Sequence, residues 1–89
     1  MEEFIGEERY ALIRGGKVVA EIDFPYSGRK EMTITRVYID PALSEKGLGK
    51  KLMRKALRSA KEKGCHLKAG CDFARAYLLE HPDPLVKLD

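Results

Sequence analysis

From Leu48 onward the apolar residues Leu48, Leu52, Met53, Ala56, Leu57 and Ala60 recur at helical spacing, with charged residues between them, until Gly64 stops the run. Just before this helix, across a short loop that begins at Asp40 and Pro41, lies the β-prone run Glu31 to Ile39. Immediately after it comes another, Cys65 to Gly70. A strand, a helix and a strand joined this tightly have one compact solution. The helix crosses over a sheet, and the two strands run parallel.

The N-terminal half supplies the rest of that sheet. Arg9 to Ile13 and Lys17 to Phe24 are β-prone runs separated by Arg14, Gly15 and Gly16, a tight-hairpin signal. In the second run Val18, Ala20, Ile22 and Phe24 are expected on the core face, with Lys17, Val19, Glu21 and Asp23 on the wetter one. Pro25, Ser27 and Gly28 mark a second turn, and Thr33, Thr35, Val37 and Ile39 are expected to share one face of the following strand. A second helix, about Asp72 to Glu80, stops before Pro82; the tail after Pro84 is too short to assign. The order β-β-β-α-β-α predicts an α/β (α+β) fold with a mixed sheet. Its first three strands are antiparallel, its last is joined by a right-handed crossover, and two helices cover at least one face. With 89 residues there is material for one core, so residues 1–89 are read as a single domain.

Hydrophobic residues at 44% and charged residues at 35% predict an ordered, soluble chain. The start, Met-Glu-Glu-Phe-Ile-Gly-Glu-Glu, lacks the basic and apolar parts of a signal peptide, and no run approaches the roughly 18 apolar residues of a membrane span. A cytoplasmic protein without a membrane partner is expected. Cys65 and Cys71 form no zinc pattern with the histidines, so no metal is expected and both thiols are read as reduced. The net charge of +3 is unevenly placed. Lys46, Lys50, Lys51, Arg54, Lys55, Arg58, Lys61 and Lys63 face only Glu62 in the segment they span.

That basic segment begins at a turn suited to anions. Gly47 and Gly49 carry no side chain to block a ligand, and the first helical turn presents N–H groups without intrahelical acceptors. The helix dipole and the charges of Lys46, Lys50 and Lys51 add favourable potential there, which fits a pyrophosphate better than a carboxylate. A Gly-x-Gly that only permits a tight turn, and a basic helix face that is only solvated, are the plainer alternatives.

The run Arg36-Val-Tyr-Ile-Asp-Pro-Ala-Leu-Ser-Glu-Lys-Gly-Leu-Gly-Lys-Lys-Leu resembles the central motif of the GNAT superfamily of N-acetyltransferases, in which an apolar strand leads through Gln/Arg-x-x-Gly-x-Gly/Ala into a helix. Cys71-Asp-Phe-Ala-Arg-Ala-Tyr-Leu-Leu-Glu-His-Pro is similar to the close of the short, single-domain branch, with its Cys, aromatic-rich helix and His-Pro pair. The resemblance spans roughly Glu31 to Pro82. It implies acetyl-CoA as cofactor, with coenzyme A held by Ser44, Glu45, Lys46, Gly47, Leu48, Gly49 and Lys50 around its pyrophosphate. Val37, Tyr38 and Ile39 would bond the pantetheine arm like an added strand. Two positions depart from the pattern. Ser44 stands where the family has Gln or Arg, and Arg36 aligns where the short branch commonly carries a His, so no catalytic role of that His transfers here.

Acetyl transfer to an amine also needs an unprotonated nucleophile, and a free lysine is neutral in only about one molecule in 2,500 at pH 7. No side chain stands out in the sequence as the base. A backbone N–H near Tyr38 or Ile39 is expected to polarise the thioester carbonyl, on the family fold. Cys71 is the one distinctive reactive candidate, at a strand end and helix start with Arg75 one turn on and Asp72 opposing thiolate formation. It either accepts the acetyl group, faces the CoA sulfur, or fills a tight corner. Cys65 reads as core, His66 as solvent-exposed, His81 as a cap on the second helix, and Tyr77 as packing with its hydroxyl at the surface. Three functions follow: a minimal acetyltransferase with an unidentified small-molecule or protein amine, a CoA-binding module without turnover, and a nucleic-acid binder. The last rests on charge alone, without an aromatic platform.

Overall fold

In the computed structural model, which describes residues 1–43 and 47–88, the chain opens on β1 (Glu2–Ile5), paired antiparallel with β2 (Arg9–Arg14). Gly15 and Gly16, with φ of 57° and 77°, turn β2 back into β3 (Lys17–Asp23) as the double glycine predicts. Then follow β4 (Tyr26–Gly28), β5 (Glu31–Ile34), β6 (Arg36–Ile39), α1 (Leu48–Glu62), β7 (His66–Ala69), α2 (Asp72–Glu80) and β8 (Val86–Lys87). No helix among the described residues is long and apolar enough to cross a membrane.

The mixed α+β class is as expected, and β5 and β7 run parallel across α1 as the crossover requires. The sheet itself divides in two, with strand orders β1-β2-β3-β6 and β4-β5-β7-β8. The division falls inside the run read as one strand. Thr35 N–H donates to Asp23 O at 3.0 Å while Arg36 is the ladder partner of Asp23, so two residues oppose one in a β-bulge. The extra residue changes the alternation. Met32 and Ile34 face the core before the bulge, Val37 and Ile39 pack on it after, and Thr35 and Arg36 between them are exposed. The expectation that Thr33 and Thr35 share a face with Val37 and Ile39 fails for this reason. A second irregularity, between Leu12 and Ile13, leaves Val19 as the unopposed residue of β3. Val19 and Ala20 are therefore both buried, and Val18 rather than Val19 is the half-buried one.

Leu48, Leu52, Met53, Ala56 and Ala60 of α1, with Ala74 and Leu78 of α2, join Tyr10, Leu12, Ile22, Phe24, Met32, Ile34 and Leu67 in one cluster. Both helices lie on that side of the sheets. The alternate residues, among them Arg9, Glu21, Asp23, Thr33, Arg36, Tyr38 and Lys68, line the other face, which no helix among the described residues covers. That face is tied by polar contacts such as Thr33 Oγ1 to Ser27 Oγ at 2.6 Å and Lys68 to Glu31 at 3.8 Å.

Candidate active site

Gly47 precedes α1 with φ 88°, a left-handed conformation that side chains with a Cβ resist, and no described residue comes near the place where its Cβ would stand. Among the described residues the helix begins without a side-chain cap or an acidic residue in its first turn. Its first intrahelical bond is Lys51 N–H to Gly47 O at 2.9 Å, so the preceding N–H groups have no helical acceptor. A groove of about 410 Å³ runs from this end along the helix, lined by Gly47, Lys50, Lys51, Arg54, Lys55 and Arg58. It is cationic throughout. Ser44, Glu45 and Lys46, the rest of the expected loop, lie outside the described residues.

The free edge of β6 lies alongside this end of the helix. Asp40 N–H donates to Val19 O at 2.8 Å, and strand alternation then turns the N–H and C=O of Tyr38 toward β3 and those of Val37 and Ile39 away from it. No strand among the described residues pairs with β6 on that outer edge. The last link across to β7 is Gly70 N–H to Ile34 O at 2.7 Å, just before the bulge. Beyond it the two strands part, and the parting leaves Val37 and Ile39 with backbone groups aimed into an opening.

Cys71 follows Gly70 directly, so the chain delivers it to the same opening. It is the residue preceding α2, half-buried and packed on the core, and its carbonyl accepts from Arg75 N–H at 3.0 Å. Two residues on, Phe73 reaches across to α1. A Cβ on Gly49 would stand 2.5 Å from Phe73 Cζ, so the second glycine of the motif makes room for an aromatic ring of this chain. Phe73 is a contact the sequence analysis missed; its spacing from Cys71 was visible, its partner was not.

On the bare face at the bulge four charged side chains meet. Arg9 Nη2 donates to Glu21 Oε1 at 2.7 Å and Arg9 Nε lies 3.6 Å from Asp23 Oδ1, while Arg36 Nε is 3.9 Å from Glu21 Oε2. The Arg9 hydrogen bond holds the Glu21 carboxyl below the usual carboxylate range. Burial, and then the neighbouring Glu21, push Asp23 up to about 6. Among the described residues its Oδ1 is buried without a hydrogen-bond partner. Arg36 also stacks on Tyr38, with its guanidinium carbon 5.4 Å from the ring centroid.

The remaining candidates fall elsewhere. Cys65 is buried in the core as expected. His66 is half-buried rather than exposed, because β7 is an inner strand between β5 and β8. His81 ends α2, with its N–H on Tyr77 O at 2.9 Å and its ring 4.3 Å from that of Tyr77, which packs on the core.

The profile of the family described as GCN5-related N-acetyl-transferase matches residues 9–87. Among curated proteins, none matches this sequence. Of solved structures, a GCN5-like protein from Staphylococcus aureus, determined by NMR, is 26% identical with a TM-score of 0.74, over 90% of this chain and 79% of that one. An IAA acetyltransferase from Bacillus cereus is 27% identical with a TM-score of 0.64, over 82% of this chain and 51% of that one. Rv2747 from Mycobacterium tuberculosis, solved in complex with CoA, shares the fold at 20% identity and a TM-score of 0.67, over 83% of this chain and 46% of that one. This chain thus spans about half the length of the last two.

Proposed function

Because the chain belongs to the GCN5-related N-acetyltransferase family, we propose that it binds acetyl-CoA between the start of α1 and the free edge of β6 and transfers the acetyl group to an amine. The observation that carries this reading is the pairing of an uncapped helix start with an unpaired strand edge. An anion and an amide-bearing arm are the two things such a pair satisfies. The CoA in the Rv2747 structure supports the same ligand.

The residues present fit that group. At the helix start, Gly47 leaves open space, the N–H groups of Leu48, Gly49 and Lys50 lack helical acceptors, and Lys50 and Lys51 add charge. Ser44, Glu45 and Lys46 are assigned to the same loop by family resemblance alone. Val37 and Ile39 offer backbone donors and acceptors to the arm, while the backbone of Tyr38 is turned into the β3 ladder. Of the two N–H groups considered for polarising the acyl carbonyl, this favours Ile39 over Tyr38.

When bound, acetyl-CoA supplies an activated acyl group. The chain holds the phosphates on the helix side, aligns the arm along β6, and sets Cys71 at the far end of the opening. Cys71 is half-buried and core-packed, which suits a side chain that shapes the wall beside the sulfur. The acceptor is an amine of unspecified size, and the expected compartment is the cytoplasm. Calorimetric titration with CoA tests the reading: one site per chain is expected, weakened in a folded Gly47→Asn protein. Undiminished affinity in that variant would place the ligand elsewhere. Saturable binding without acetyl transfer to any amine would leave a CoA-binding module.

A further inference from the structure

Deprotonating an acceptor amine near neutral pH needs a base, and none was evident along the chain. We propose that Asp23, on the bare face of the sheet opposite the bulge, is the general base of the acetyl transfer, with Glu21, Arg9 and Arg36 setting its position and charge. The assignment rests on the acetyl-transfer reading above.

The start of α1 and its cationic groove lie on the helix side, so phosphates approach from there and the helices occupy that space. An acceptor reaching an acyl group lodged along β6 is left with the other face. Asp23 is on that face at the bulge, opposed by both Thr35 and Arg36 and one register step from Val37, whose backbone is the first to face the opening beyond the Ile34–Gly70 link to β7. Its strand adjoins β6, about 4.8 Å away in the pairing direction.

The surroundings suit a base. Arg9 commits its 2.7 Å hydrogen bond to Glu21 and stays 3.6 Å from Asp23, so Asp23 is the less neutralised carboxylate of the two. Its side chain is 27% exposed although Oδ1 is buried, with the Arg9 ion pair but no hydrogen-bond partner among the described residues, which leaves part of the side chain toward solvent. The charged groups around it are Glu21 on β3, Arg9 from β2 and Arg36 from β6. Burial, then a hydrogen bond to Glu21 and the charge of that carboxylate, raise its basicity to the range where a carboxylate accepts a proton near neutrality, while the arginines limit the rise. Arg36 is 58% exposed and stacked on Tyr38, at the rim where an acceptor carboxylate or phosphate would meet it.

The step balances. Asp23 takes one proton from the acceptor ammonium, and the freed lone pair forms the C–N bond to the acyl carbon as the C–S bond breaks. The sulfur leaves as a thiolate that takes up a second proton from the amine nitrogen, and Asp23 returns its proton to solvent.

The test uses the full chain, acetyl-CoA, and n-butylamine and lysine amide as acceptors. In Asp23→Asn, kcat should fall about 100-fold or more while CoA affinity by calorimetry stays within twofold. The wild-type kcat/KM should rise through about pH 6, a limb the variant lacks, and Asp23→Glu should recover part of the rate. Independently of turnover, a carbon-13 NMR titration should put the Asp23 carboxyl midpoint near 6. Turnover within threefold of wild type in Asp23→Asn, or an ordinary carboxylate midpoint near 4, overturns the assignment. A wild-type protein that transfers to no amine overturns the acetyl-transfer reading and the base together. CoA binding with transfer intact but insensitive to Asp23 overturns the base alone.

Discussion

The ring of Phe73 occupies the space a side chain on Gly49 would need: a Cβ there would stand 2.5 Å from Phe73 Cζ. The starts of the two helices are therefore in contact through one aromatic ring, and the contact exists only because α1 has a glycine in its first turn. In an ordinary helix, Gly→Ala stabilises by about 0.5–1 kcal/mol. Here Gly49→Ala should give none of that gain, or lose stability, in wild type, and recover it when Phe73→Ala is added. Thermal melts of the four proteins in the double-mutant cycle measure the coupling.

Gly47 is constrained by conformation rather than by space. With φ at 88° and nothing among the described residues within 4 Å of its missing Cβ, Gly47→Val should cost about 1–2 kcal/mol in strain and still fold. Gly47→Asn, a residue that tolerates this conformation, should melt near wild type yet bind CoA more weakly, because its side chain projects into the groove. Calorimetry and melting together separate the two effects.

The basic residues of α1 divide by position. Lys50 and Lys51 line the groove beside the helix start, whereas Lys63 sits at the other end with its Nζ 3.0 Å from Glu7 O. Dipole and screened charge effects fade over about 8 Å, so Lys50→Ala and Lys51→Ala should weaken CoA more than Lys61→Ala and Lys63→Ala. Equal losses at both ends, with a steep salt dependence, would indicate a long polyanion as the ligand.

Asp23 carries a stability cost that follows from its raised carboxyl. Its value is about 6 in the fold against an ordinary 3.8, so folding favours the protonated form. The favourable contribution is complete below about pH 3.8 and is lost as pH rises through 6. Asp23→Asn should therefore stabilise the protein at pH 7.5 by on the order of 1 kcal/mol, or roughly 4–8 °C in Tm. The advantage should vanish below pH 4. A variant both more stable and less active separates a functional carboxylate from a structural one.

Direct transfer with Asp23 as base leaves Cys71 without a chemical step. Cys71→Ala should keep CoA affinity and turnover within about tenfold, and intact-protein mass spectrometry after incubation with acetyl-CoA should show no acetylated Cys71. A stable acetyl-Cys71 that disappears on adding amine would establish the covalent route instead.

Much of this was legible in the chain. The double glycine at Gly15, the single apolar stripe from Leu48 to Ala60 and the stop at Gly64 placed the hairpin, the helix and the parallel crossover, because each is a local signal. The bulge was not read, although Met32, Ile34, Val37 and Ile39 show the change from even to odd. A one-residue shift becomes visible only when Asp23 is known to face both Thr35 and Arg36. β1 and β8 also escaped: their strandhood comes from the neighbours they pair with, Tyr10 to Ile13 for β1 and Leu67 and Lys68 for β8. For the site, the glycine turn stood out as a contiguous motif. The cluster of Arg9, Glu21, Asp23 and Arg36 is assembled from three strands by register, and no linear spacing announces it.

The bulge also shows how little separates an open sheet from a closed one. Remove Thr35, and the residues from Met32 to Ile39 alternate without a break, every apolar side chain still facing inward. The kink that turns β6 away from the line of β5 would then be lost, and with it the local cause of the parting from β7. Deleting this one exposed threonine, which chemistry never touches although it stands opposite Asp23, would straighten the strand and narrow the opening a ligand must enter.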